Sequence, residues 1–242
     1  MATLLSVNLN KIALLRNSRG GSAPDLLHFG QLAIDNGAKG LTVHPRADQR
    51  HIRLDDVVAL SKLPQIQSGE IEFNIEGDLR PELIRMSEVI KPTQFTVVPV
   101  MPNEITSDRG WRPYDEHGLL KETVDRLSAY TRVAVFCDAD PASVELAAEG
   151  GIQAIEIFTG PYAHAFDLGK SEVKLAAIKS ATDRATELGL RLNGGHDLTV
   201  DNLPTLLAAI PFHELSIGHH LTCMAVEQGW AKAVKAYADV CG

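Results

Sequence analysis

RVAVFCDADPASVELAAEGGIQAIEIFTG, residues 132–160, reads as one complete strand–helix–strand unit. An apolar run over 132–138 ends on Asp138. Asp140-Pro141 then supplies a helix N-cap followed by a proline at the first helical position. The helix expected over 141–149 leads to a second apolar run, 154–160. The same unit recurs outward in both directions. Strand-like runs fall at 94–99, 71–76, 40–44 and 4–10 on one side and at 190–196 and 214–220 on the other. Helices are expected over 24–36, 54–63, 81–90, 116–130, 171–188, 201–209 and 221–240. Strand and helix alternating about eight times over roughly 250 residues predict an α/β fold, a single parallel (β/α)₈ TIM barrel. The spacing is even and no linker interrupts it, so one domain over 1–242 is expected.

Strand parity refines this picture, because side chains alternate across a strand. One parity is apolar: Val7/Leu9, Leu41/Val43, Phe73/Ile75, Ile155/Ile157, Leu190/Leu192 and Leu215/Ile217. These residues are expected to face the helices. The other parity is polar and must line the barrel interior: Asn8/Asn10, Thr42/His44, Glu72/Asn74/Glu76, Glu156, Arg191/Asn193 and Glu214/Ser216. Buried charge is costly unless paired, so Arg191 and Glu214 are predicted to pair inside the barrel, away from its active face.

Barrel active sites sit at the C-terminal ends of the strands. There the chain places Asn8, Asn10, His44, Glu76, Asp138, Glu156, His196 and His219. His44-Pro45-Arg46 with Arg50-His51 combines imidazoles and guanidiniums, which suits an anionic substrate and proton movement. Asn193-Gly194-Gly195-His196 and Ile217-Gly218-His219-His220 end the seventh and eighth strands. Many barrels hold a phosphate at that position, against backbone N–H groups. Glu76 and Glu156 are inward carboxylates suited to general-base work with raised pKa values. Two long connections, 16–23 and 100–115, stand out as functional loops, and the second is expected to close over substrate.

Composition narrows the function. The chain has 242 residues, 45% of them hydrophobic and 22% charged, with a net charge of -8, an ordinary soluble balance and a poor one for nucleic acid. No apolar run reaches membrane-span length and no signal peptide is read. Cys137, Cys223 and Cys241 form no CxxC, which fits a reduced cytoplasmic protein. Other barrel chemistries stay open on the residues alone. A metal-dependent hydrolase could use His44, His51, His196, His219, Glu76 and Glu156, but no HxH ends the first strand. A Schiff-base aldolase would need an inward lysine, and Lys11 has the wrong parity. A phosphosugar-binding barrel without catalysis is a third reading.

VNLNKIALLRNSRGG, GLTVHPRADQRHI, FNIEGD, EITSD, DADP, IEIFTGPYA, LNGGHDLT and HELSIGHH occur in this order. With them the whole chain resembles the pyridoxine 5'-phosphate synthase family. The resemblance implies a (β/α)₈ barrel with extra helices, assembled as a ring-like homo-octamer. It implies condensation of 3-amino-2-oxopropyl phosphate with 1-deoxy-D-xylulose 5-phosphate to pyridoxine 5'-phosphate, phosphate and water, with no metal or organic cofactor. Under it, His44 and Glu76 match proton acceptors, His196 a proton donor, and Glu156 a carboxylate that stabilises the transition state. Asn8, Arg19, Gly218 and His219 match groups that hold the amino-ketone phosphate. Arg46, His51 and Thr106 match those that hold the sugar phosphate. The chain departs from the family pattern at Asn10-Lys11, where Asp-His is common, at Asp197, where glycine is common, and at Pro45. Asn10, Lys11 and Asp197 are therefore expected to contact substrate in their own way, with Lys11 binding the sugar phosphate rather than forming a covalent intermediate.

Overall fold

The computed structural model describes residues 2–101, 104, 106–112 and 117–242. Its eight strands are β1 (Leu4–Asn8), β2 (Gly40–Val43), β3 (Glu72–Gly77), β4 (Gln94–Val97), β5 (Arg132–Cys137), β6 (Ala154–Phe158), β7 (Arg191–Gly195) and β8 (Glu214–Ile217). Each pairs in parallel with the next, and β1 pairs with β8, so the sheet closes into a barrel. The helices follow in sequence. They are α1 (Asn10–Asn17), α2 (Leu26–Asp35), α3 (Leu54–Leu60), α4 (Pro64–Gln67), α5 (Pro81–Ile90), α6 (His117–Leu127), α7 (Pro141–Ala148), α8 (Gly160–Asp167), α9 (Glu172–Glu187), α10 (Leu203–Ala209), α11 (His219–Gln228) and α12 (Trp230–Cys241). No described helix is long and apolar enough to cross a membrane. None of the three cysteines is paired.

The expected unit at 132–160 is present as β5, α7 and β6, with Asp140 capping α7 through the Ser143 N–H. Several boundaries differ from expectation. β1 stops at Asn8, because Asn10 opens α1 and its N–H donates to Asn8 Oδ1 at 3.0 Å. Pro64 does not end a helix but begins α4, where a proline's missing N–H costs nothing. The single helix expected over 221–240 is two, broken at Gly229, whose φ of 89° no helix accommodates. α11 also begins two residues early, at His219. The expected start of α6 at Glu116 and part of the 100–115 connection lie outside the described residues.

The apolar parity of the strands packs outward against the helices, with Val7, Leu41, Phe73, Ile75, Ile155, Ile157 and Leu215 fully buried. The polar parity fills the barrel with a hydrogen-bonded chain. Ser6 and Thr42 hydroxyls meet at 2.7 Å, Thr96 donates to Asn74 at 2.9 Å, and Gln94 donates to Thr96 at 3.0 Å. Arg132 and Asn193 both donate to Gln94 Oε1 at 2.9 Å.

At the floor the expected Arg191–Glu214 pair is not formed. Arg191 instead bonds Glu72 at 3.0 Å, and Arg132 bonds the other Glu72 oxygen at 2.5 Å. The barrel's stagger explains this. Asn193, not Arg191, lies opposite Glu214, so Arg191 sits one step lower on β7. Glu214 is 2% exposed, and burial together with the Glu72 charge and a hydrogen bond to Glu72 pushes its pKa up to about 8. It is held as a neutral acid at pH 7, with the floor arginines shared by Glu72.

Candidate active site

The mouth of the barrel is built from strand ends that the sheet register forces together. Asn8 Oδ1 accepts the Asn10 N–H, and Asn10 Oδ1 accepts the His44 N–H at 2.9 Å. These two asparagines thus fasten α1 to the end of β2 and fix the backbone of His44. The His44 ring stands with Nδ1 3.9 Å from Glu76 Oε2, too far for a hydrogen bond, and its Nε2 is buried with no partner among the described residues. Burial, followed by the charges of His51, Arg46, Arg80 and His196, holds His44 well below the usual imidazole range. Burial likewise pushes Glu76 up to about 7, against 3.4 Å contacts from Ser216 and Asn8 that pull it down. The pair is therefore neutral imidazole beside a carboxyl poised near neutrality, not an ion pair.

Glu156 is 4% exposed and its pKa is raised well above the carboxylate range by burial and then by Glu76 and Glu214. The last glycine of β7, Gly195, follows from its position. A Cβ at Gly195 would stand 2.5 Å from Glu156 Oε1. A Cβ at Gly218 would stand 3.0 Å from that of Asn8, so this glycine lets β8 close against β1.

His196 follows β7 with φ 84°, and Asp197 with φ 57°, two consecutive non-glycine residues in the left-handed region. Thr159 Oγ1 reaches the carbonyls of both Gly195 and His196, at 2.5 and 2.6 Å, and braces the turn. The His196 ring packs between Phe136 and Phe158, with centroids 5.1 and 5.2 Å away, and burial lowers its pKa. Thr159, Phe136 and Phe158 were not foreseen from sequence. The signal for Phe136 and Phe158 was their inward parity at strand ends, which apolar character masked.

The basic residues cover the rim beside β2. Arg46 is 4% exposed, donates to the Glu104 carbonyl at 3.4 Å, and its Nε has no partner among the described residues. His51 Nδ1 accepts the Ile52 N–H at 2.9 Å, which puts its proton on Nε2. Burial and Arg46 take His51 down to about 4. Lys11, second residue of α1, lies close enough to His51, His196 and His219 for its charge to lower each of them.

Gly218 caps α11 and His219 opens it, giving a helix N-terminus suited to an anion. Asp197 is exposed and faces His220 at 3.7 Å. Two expected residues are not drawn in. Arg19 is exposed on the turn after α1, and Thr106 is exposed; among the described residues no side-chain bond ties either to the site. No group of three or more His, Cys, Asp or Glu among the described residues is arranged to hold a metal ion.

The barrel is shared with distant proteins. Phosphoribosyl anthranilate isomerase from Thermus thermophilus superposes with a TM-score of 0.59 at 15% identity, covering 98% of each chain. Its counterpart from Thermotoga maritima gives 0.59 at 11% identity, over 100% of this chain and 98% of that one. At such identities the likeness concerns the fold alone. Sequence relatives are far nearer. Pyridoxine 5'-phosphate synthase of Agrobacterium fabrum is 47% identical over 248 residues, spanning 100% of this chain and 98% of its own. That of Xanthomonas axonopodis pv. citri is 44% identical over 249 residues, spanning 99% and 97%. The family model described as pyridoxal phosphate biosynthesis protein PdxJ matches residues 5–242. Matched along its whole length by the family model and by these relatives, the chain belongs to the PdxJ family, the pyridoxine 5'-phosphate synthases of vitamin B6 biosynthesis.

Proposed function

We propose that this enzyme condenses 3-amino-2-oxopropyl phosphate with 1-deoxy-D-xylulose 5-phosphate, releasing pyridoxine 5'-phosphate, inorganic phosphate and water, without a metal. The observation that carries the reading is the convergence of His44, Glu76, Glu156 and His196 at one barrel mouth, each shifted by burial toward its neutral form. Imine formation, dehydration, phosphate elimination and ring closure each need a proton taken from one atom and given to another. A neutral His44 accepts a proton. Glu76, near half-ionised at pH 7, accepts in one step and returns in another. His196 serves as donor once it has been charged by an earlier step. A neutral Glu156 donates a hydrogen bond to developing negative charge.

The two anionic ends divide between two basic regions. Arg46, His51, Lys11 and the exposed Thr106 take the sugar phosphate. Asn8, Gly218 and His219 take the amino ketone, with Arg19 arriving from the α1–α2 turn. Asp197 shapes that second region through His220. The homo-octamer belongs to the same proposal, and light scattering should then give eight times the 26.2 kDa chain mass.

The test is to mix the purified protein with both phosphates after exhaustive chelation. Pyridoxine phosphate and inorganic phosphate should appear together and only when both substrates are present. Turnover lost on chelation and restored by Zn²⁺ or Mn²⁺ would refute the metal-free reading, and no product at all would refute the substrate assignment.

A further inference from the structure

The tripeptide His44-Pro45-Arg46 is held at an angle that its own hydrogen bonds do not complete. The Arg46 N–H donates to the His44 carbonyl at 3.0 Å, which closes a three-residue turn around Pro45. Such a turn leaves the central carbonyl pointing away from both flanking residues. Pro45 is buried, so this carbonyl needs a donor, because a buried acceptor left unmet keeps its desolvation penalty. The donor is Arg80, whose Nη2 bonds the Pro45 oxygen while its Nη1 bonds Asp78.

Arg80 is itself rigidly based. It is the N-cap of α5 with Pro81 next, and its backbone sits at φ -63°, ψ 140°, the extended region that a following proline imposes. On either side of the Pro45 carbonyl, His44 Nε2 and Arg46 Nε are buried and have no partner among the described residues. Polar atoms kept buried and unbonded on so braced a segment are set for something that arrives later.

We infer that Arg80 is a positioning residue, clamping the Pro45 carbonyl so that His44 and Arg46, on either side of it, are pre-set for the sugar phosphate. The inference rests on the proposed function and deepens it. It adds one residue that touches no substrate and acts only through the turn. Planar guanidinium geometry is what the task requires, because one head group must bond two oxygens, Asp78 Oδ1 and Pro45 O, on different segments. A lysine supplies the charge without the fork.

The experiment measures kcat and the KM of each substrate for wild type, Arg80→Gln and Arg80→Lys. Arg80→Gln should raise the KM for the sugar phosphate at least tenfold and lower kcat severalfold. The KM for the amino-ketone phosphate should stay within twofold. Arg80→Lys should fold as wild type yet recover little of the lost affinity. Asp78→Ala, which frees Arg80 from its second anchor, should shift the same KM in the same direction, and it decides the matter if Arg80→Gln does not fold.

Equal rises in both KM values would mean general loosening and would overturn the inference, as would full recovery by lysine, which would make the charge sufficient. An active wild type with unchanged constants in Arg80→Gln overturns this inference alone. A wild type that neither binds nor converts the two phosphates overturns the proposed function and this inference with it.

Discussion

At the scale of single residues, the site is governed by desolvation. His44 and Glu76 approach within 3.9 Å, and burial drives their pKa values in opposite directions, so that neither need be charged at rest. Under the proposed chemistry, removing any one of the titratable groups at the mouth should be costly. His196→Ala should cut turnover by at least ~10²-fold, the usual scale for a positioned acid or base. A near-wild-type rate would return His196 to a structural role. Gly195 offers a subtler check. A methyl there would lie 2.5 Å from Glu156 Oε1 and displace the carboxylate. Gly195→Ala should therefore keep the fold by circular dichroism but lose turnover by ~10-fold or more, and unchanged turnover would remove Glu156 from the chemistry. These roles were only half legible in the sequence. His44, Glu76 and Glu156 carry the inward parity of their strands, whereas His196 follows β7 and is marked only by the Asn193-Gly194-Gly195 run before it. Arg80 carries no such mark, because its partner is a backbone carbonyl 35 residues away, and no residue pattern marks a carbonyl left open by a turn.

At the scale of elements, the strand ends are where expectation and structure part. The run ending in Asn8-Leu9-Asn10 keeps strand alternation past the true end of β1, and only the Asn8 side chain capping α1 shows where the helix begins. α8 has no counterpart among the helices expected from sequence, although Gly160-Pro161 is a good helix start, because the strand-like run was carried through to Gly160. Long, strongly patterned elements such as α5, observed over Pro81–Ile90 as expected, were plain. The turn after β7 carries a prediction. Thr159 Oγ1 serves two carbonyls there, under two left-handed residues that each carry a backbone cost. Thr159→Val should lower stability by about 1 kcal/mol in urea unfolding, the worth of one hydroxyl hydrogen bond, because the Gly195 carbonyl keeps the Thr159 N–H and only the His196 carbonyl loses its donor. It should also slow turnover by releasing His196. A variant with wild-type stability and rate would show that the turn holds itself.

At the scale of the whole molecule, the barrel interior is largely polar, with Phe136 and Phe158 packed on His196 at the mouth, and the sequence foretold the polar lining from parity while mispairing its charges. Strand stagger set the outcome: Arg191 fell below Glu214 and shared Glu72 with Arg132. The result makes stability depend on pH. Glu214 has a folded pKa of about 8, raised above its ordinary 4.5, so the folded state binds the extra proton between those values. Its contribution is full below about pH 4.5 and is lost as pH rises through 8. Glu214→Gln, neutral at every pH, should leave stability near pH 4.5 little changed and raise it on the alkaline side. The gain should be on the order of 3–5 kcal/mol at about 1.4 kcal/mol per pKa unit. Chemical unfolding at pH 5 and pH 9 checks this, and a variant equally destabilised at both would mean that Glu214 is an obligatory charge partner.

The proposed chemistry requires the folded barrel to present a near-neutral carboxyl beside a neutral imidazole at its mouth. The direct measurement is the pH dependence of kcat/KM for wild type and Glu76→Gln. The wild type should lose activity on the acid side with a midpoint near 7, as Glu76 takes up its proton, and Glu76→Gln should lose that limb along with at least ~10²-fold in rate. A Glu76→Gln enzyme with near-wild-type rates and the same acid limb would contradict it.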